Sequence, residues 1–173
     1  MPFQVLVAYA TKHGSTIEIA QKIGDVLKSA GLQVSVLPAE KVTDVTPYEG
    51  VVLGSAVYEG KWRKEAVQFL EHFNEKLTEI PVWLFSSGPA GKGNPVDLAH
   101  GWHFPDEQLP IADHIHARDL ALFNGVIDME KLNFAEKVIV KSFNTPGGDF
   151  RDWTAINQWA VSIAAALRPE VAE

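Results

Sequence analysis

Apolar positions along this chain follow two alternating rhythms. Residues 3–9, 32–37, 51–57, 81–86 and 120–127 are short, β-rich apolar runs bounded by Gly, Pro or polar residues, and each predicts a buried strand. Between them the period lengthens. Ala20, Ile23, Leu27 and Ala30 share one face of a helix over 15–30, stopped by Gly31. Ala66, Phe69, Leu70, Phe73 and Leu77 make the stripe of a second helix over 62–77. Ile156, Trp159, Ala160, Ile163 and Leu167 do the same over 152–167, and Leu132, Ala135, Ile139 and Phe143 predict a core-packed helix over 132–143. Strands alternating with helices predict an α/β fold, a three-layer sandwich around a five-stranded parallel sheet, for which the doubly wound order 2-1-3-4-5 is taken. One stretch, 88–118, breaks the alternation. It is rich in Gly, Pro and His, has no period, and is expected to be a lid, a binding loop or a mobile insertion.

Composition narrows the function. The 173 residues suit one domain. A net charge of −7 argues against a nucleic-acid partner, which wants a basic face. With no cysteine, disulfides, iron–sulfur clusters, thiolate metal sites and cysteine nucleophiles are excluded. Redox chemistry in such a chain needs an organic cofactor or a non-thiolate metal. The N-terminus lacks the charged region of a signal peptide, and no apolar run approaches a membrane span, so the expected compartment is the cytoplasm. Peripheral contact with a membrane or partner through 132–143 is an alternative to core packing. The four histidines His100, His103, His114 and His116 match no ligand spacing, and no metal site is expected.

Three polar loops follow predicted strands. The first, Thr11-Lys12-His13-Gly14-Ser15-Thr16, joins strand one to helix one. A helix start offers free N–H groups and partial positive charge to a phosphate. Thr11, Ser15 and Thr16 add hydroxyls, and Gly14 lets the backbone turn closely around an anion. The alternative is an ordinary capped helix start. The second loop contains Ser55, Ala56, Val57, Tyr58, Glu59, Gly60 and Trp62. Tyr58 and Trp62 are candidates to stack on a flat ring, against the alternative that Trp62 anchors the next helix. The third is Ser86-Ser87-Gly88-Pro89-Ala90-Gly91, whose small residues allow close backbone approach or simply form a turn. In the order 2-1-3-4-5 all three loops meet where the sheet's connectivity reverses, the usual ligand crevice of such sheets. GxxxxGK[ST] and GxGxxG are both missing from the first loop, which removes P-loop and dinucleotide readings.

With these loops in hand, the chain resembles the flavodoxin-like superfamily, and within it flavodoxin-domain proteins similar to menaquinone-dependent protoporphyrinogen oxidase. Thr11, Gly14 and Thr16 match the family's T-x-T-G-x-T phosphate loop, with His13 in place of its second threonine. GSAVYEGKW and FSSGPAG look like the two ring-holding loops, and GGDFRDW at 147–153 resembles the end of the oxidase-like subgroup. The resemblance implies non-covalent FMN, phosphate at Thr11–Thr16 and the ring between the later loops. It implies redox chemistry with either a small-molecule substrate or, alternatively, a larger redox partner protein served by an electron carrier.

Overall fold

Val5, Leu6, Val7 and Ala8 are sealed from solvent on both sides, as are Val51, Val52 and Leu53. Continuous apolar runs of this kind belong to parallel strands covered on two faces. The computed structural model describes residues 3–89, 91–142 and 147–168. Its elements are β1 (Gln4–Ala10), α1 (Ser15–Ser29), β2 (Gln33–Pro38), β3 (Gly50–Tyr58), β4 (Lys61–Trp62), α2 (Lys64–Leu77), β5 (Val82–Ser87), α3 (Pro95–Leu98), α4 (Leu109–His114), β6 (Leu120–Phe123), β7 (Val126–Ile127), α5 (Phe134–Ser142), β8 (Gly148–Asp149) and α6 (Trp153–Leu167). The parallel strands run β2-β1-β3-β5-β6, the expected 2-1-3-4-5 order counted along the chain. Alternation along β1 divides the core in two. Val5 and Val7 pack with Ile19 and Ile23 of α1 and with Ile156 and Ile163 of α6. Leu6 and Ala8 pack on the other face with Phe69 and Leu70 of α2. Among the described residues no helix is long and apolar enough to cross a membrane.

Three segments differ from expectation. The second helix begins at Lys64, because Glu59 and Gly60 both hold positive φ (53° and 74°) and turn β3 back into β4. That is the signature of a two-residue hairpin whose twist suits paired strands. Val57 then faces Trp62, and Tyr58 faces Lys61. Secondly, the fifth apolar run splits at Asn124-Gly125. Leu120–Phe123 stays in the main sheet, whereas Val126–Ile127 pairs antiparallel with Gly148–Asp149. Gly125 is forced by close approach: a Cβ there would lie 3.1 Å from the Cα of Gly88. Thirdly, segment 91–118 holds two short helices and is pinned to the body. Phe104, Ala112 and Ile115 are buried in the α2-side core. Phe104 packs edge-on against Trp62, with ring centres 5.1 Å apart.

Candidate functional site

The N-terminal ends of α1 and α2 and the carboxyl ends of β1, β3 and β5 converge on one cavity of about 450 Å³. The first loop reaches it through Lys12, His13 and Ser15. Thr11 and Thr16 stand behind. The Thr11 hydroxyl accepts a hydrogen bond from the Gly14 N–H at 3.0 Å and shapes the turn into α1, where Gly14 has a φ of 93°. Thr16 is fully buried, and its hydroxyl shares a 2.9 Å hydrogen bond with that of Ser87. This contact ties the first loop to the third.

From the second loop, Ala56, Val57, Tyr58 and Glu59 line the cavity. Ser55 serves the backbone instead: its hydroxyl donates to the Ala56 carbonyl at 2.8 Å and accepts from the Arg63 N–H at 2.9 Å. Trp62 does not reach the cavity. It is 5% exposed, and its indole N–H donates to the Ser86 hydroxyl at 2.7 Å. The anchoring alternative therefore describes its position, leaving Tyr58 as the aromatic wall. Gly60 turns the hairpin beside the Trp102 indole, 3.9 Å from where a Cβ would stand.

Ser87 and Gly88 are the third loop's lining residues. Ser86 is buried behind them as the acceptor for Trp62. The Pro89 carbonyl accepts from the Gly125 N–H at 3.0 Å and locks the loop to the end of β6. Gly91 packs near Leu98, away from the cavity, and Ala90 lies outside the described residues.

The far wall was not anticipated from the sequence. Val126 and Ile127 of β7, then Leu132, Ile139 and Val140, close the cavity from outside, so the covering segment is 126–140 and not 91–118. Helix α5 is also not core-packed. Among the described residues it buries none, and Phe134, Val138 and Ile139 are 84%, 51% and 45% exposed. Its apolar spacing is real, but one side meets the cleft and the other faces solvent. Phe143 lies outside the described residues.

Glu136 fastens this helix to the first loop. One carboxylate oxygen accepts from the Asn133 N–H at 3.2 Å while the Asn133 side chain accepts from the Glu136 N–H at 2.8 Å, a reciprocal cap. The other oxygen lies 3.1 Å from the Lys12 ammonium and 3.0 Å from His13 Nε2. The Lys131 ammonium adds a bond to the His13 carbonyl at 3.3 Å. Burial works against the charged carboxylate, but hydrogen bonds from His13, the Asn133 backbone and Lys12 outweigh it and hold the Glu136 pKa at about 2, from an ordinary 4.5. A depressed carboxylate pKa favours the folded form above the ordinary value. The contribution is therefore complete above about pH 4.5 and is lost as pH falls toward 2. In an NMR titration the Glu136 carboxyl should show its midpoint near 2; a midpoint at the ordinary 4.5 would mean the clasp does not hold.

Tyr58 stands inside this polar cluster. Lys12 and Arg63 lie over its ring at 5.5 and 5.7 Å, and His13 meets it edge-on at 5.9 Å. Burial, together with the charge of Glu136, pushes the phenol up to about 12 despite Arg63, so Tyr58 stays protonated and can donate. Among the described residues no three His, Asp or Glu side chains gather as metal ligands.

Comparison with known proteins places this geometry. A flavodoxin from the domain Archaea superposes with a TM-score of 0.64 at 13% identity, covering 94% of this chain and 97% of that one. Oxidised flavodoxin 1 from Bacillus cereus gives 0.61 at 14% identity, covering 95% and 99%. Rubredoxin oxygen:oxidoreductase from the anaerobe Desulfovibrio gigas gives 0.63 at 12% identity, with 95% of this chain matched to 36% of that longer one. At such identities the likeness shows the fold alone, an α/β flavodoxin-like sandwich. No curated protein matches the chain in sequence. The narrower likeness to protoporphyrinogen oxidase gains no support from these matches. The family model of the flavodoxin domain matches residues 6–153, most of the 173, and the chain belongs to the flavodoxin-domain family.

Proposed function

We propose that the cleft binds FMN and that the protein is an FMN-dependent oxidoreductase acting on a small molecule docked at the ring. One observation carries the reading: a single cavity takes lining residues from all three strand-end loops. Its volume of about 450 Å³ falls within the usual small-molecule range. The residues present suit the cofactor. The start of α1, flanked by Lys12, His13 and Ser15, suits the phosphate. Val57, Tyr58 and the backbone around Gly88 suit a flat, largely apolar ring with a polar edge. Bound there, the flavin would supply the electron or hydride transfer. The chain's own part is to bind and orient it. Thr11, Thr16, Ser55, Trp62 and Ser86 support the loops from behind, while Leu132, Ile139 and Val140 exclude water from one side.

The covered cleft favours an enzyme over an electron carrier. A fluorescence titration tests the cofactor. FMN emission should be quenched with micromolar or tighter affinity at one equivalent, and absence of binding overturns the reading. Reoxidation of the reduced holoprotein separates the two classes. Turnover with a small acceptor, insensitive to salt, fits the enzyme. Oxidation only by a basic partner protein, steeply weakened by salt, fits the carrier instead.

A further inference from the structure

We infer that Arg151 is a positioning residue for the phosphate end of the cleft, an inference that rests on the FMN reading. Its side chain is only 7% exposed. Nη1 donates to the carbonyl of Ser15, the first residue of α1, at 3.2 Å. The same nitrogen lies 3.4 Å from the Glu18 carboxylate one turn along. Nε and Nη2 form a two-pronged pair with Asp149 at 2.9 and 2.7 Å, and the guanidinium lies over the Trp153 ring at 4.7 Å.

The two ends of this clamp belong to different parts of the fold. Asp149 is in β8, paired to β7, whose Val126 and Ile127 line the cavity. Ser15 opens α1, 136 positions away along the chain from Arg151. Arg151 therefore fixes the first turn of α1 against the β7–β8 hairpin. A small cavity of about 60 Å³, lined by His13, Ser15, Lys131 and Arg151 among others, shares His13 and Ser15 with the main cleft. Two carboxylates, Asp149 and Glu18, neutralise the guanidinium. Its influence on an anion at the helix start is thus geometric: it sets where the N–H groups of the first turn point. Lysine keeps the charge but cannot reproduce the planar fork.

The test compares FMN with riboflavin, which lacks the phosphate, on the full-length protein. Fluorescence titration is made with wild type, Arg151→Lys and Asp149→Glu, with thermal midpoints alongside. FMN affinity should fall about tenfold in Arg151→Lys and about threefold in Asp149→Glu, which keeps the carboxylate charge but shifts the fork, whereas riboflavin affinity should change by less than about twofold in either. Equal losses for both ligands would assign Arg151 to general folding and overturn the inference. Should Arg151→Lys not fold, the milder Asp149→Glu decides by the same ratio. Wild type that binds neither flavin sinks the FMN reading, and the inference with it. Wild type that binds FMN while both variants keep the FMN-to-riboflavin ratio sinks the inference alone.

Discussion

Shortening Phe85 to alanine is expected to cost about 3–5 kcal/mol of folding free energy. The ring is fully buried, with Phe123 and Trp159 rings each 5.9 Å away centre to centre. On another side the neighbour is Gly54, its register partner across β3 and β5. A Cβ at Gly54 would stand 1.9 Å from the tip of that ring. Glycine is a poor strand residue, and its presence in the central strand is explained by the space Phe85 takes. Gly54→Ala alone should cost about 1–3 kcal/mol through overpacking. The two changes share one volume, so the double variant should lose less than the sum of the singles. Urea midpoints at constant m-value measure this. Strict additivity would show that the ring and the glycine do not compete for the same space.

Ser15→Asp should separate ligand binding from stability. Ser15 is the first residue of α1 and lines both the main cleft and the small cavity. A carboxylate in the first turn of a helix is stabilising by about 0.3–1 kcal/mol, so the thermal midpoint should hold or rise by roughly 1–3 °C. The same carboxylate meets the phosphate of FMN head-on. Two like charges near 4 Å repel by roughly 4 kcal/mol at the effective dielectric of a protein surface, enough for a loss of about 100-fold in FMN affinity. Riboflavin should lose no more than about threefold, since it carries no such charge. Unchanged FMN affinity, or parallel loss of both ligands, would move the phosphate away from the start of α1.

The parts of this site that were legible in the sequence are those governed by short-range rules. Apolar runs and helical stripes gave the alternation, and the chirality and order of parallel sheets bring Lys12, His13 and Ser15, Ala56 to Glu59, and Ser87 with Gly88 to one crevice, while Thr11, Thr16 and Ser55 brace it from behind. What escaped were contacts spanning much of the chain. Glu136 meets His13 across 123 positions, and Arg151 meets Ser15 across 136. Nothing in local spacing announces either pairing, although an unusual run, GGDFRDW, marked the second one's neighbourhood. The stripe Leu132, Ala135, Ile139 gave the helix but not its partner, because periodicity reports that a face is apolar and not which surface it covers. Trp62 shows the same limit on a smaller scale. An indole beside a ligand loop and an indole buried against Phe104 and Ser86 have identical sequence signatures.

The carboxylate of Glu136 caps its own helix with one oxygen and grips the loop after β1 with the other. Nine residues are too few for a helix to stand by itself in water, and α5 has no buried residue among those described to hold it in place. Its order therefore rests on the Glu136 clasp and on the cleft-facing contacts of Ile139 and Val140. Amide exchange along that short segment is expected to outpace exchange in α1 and α6 and to quicken in Glu136→Gln, a reading that needs neither ligand nor turnover.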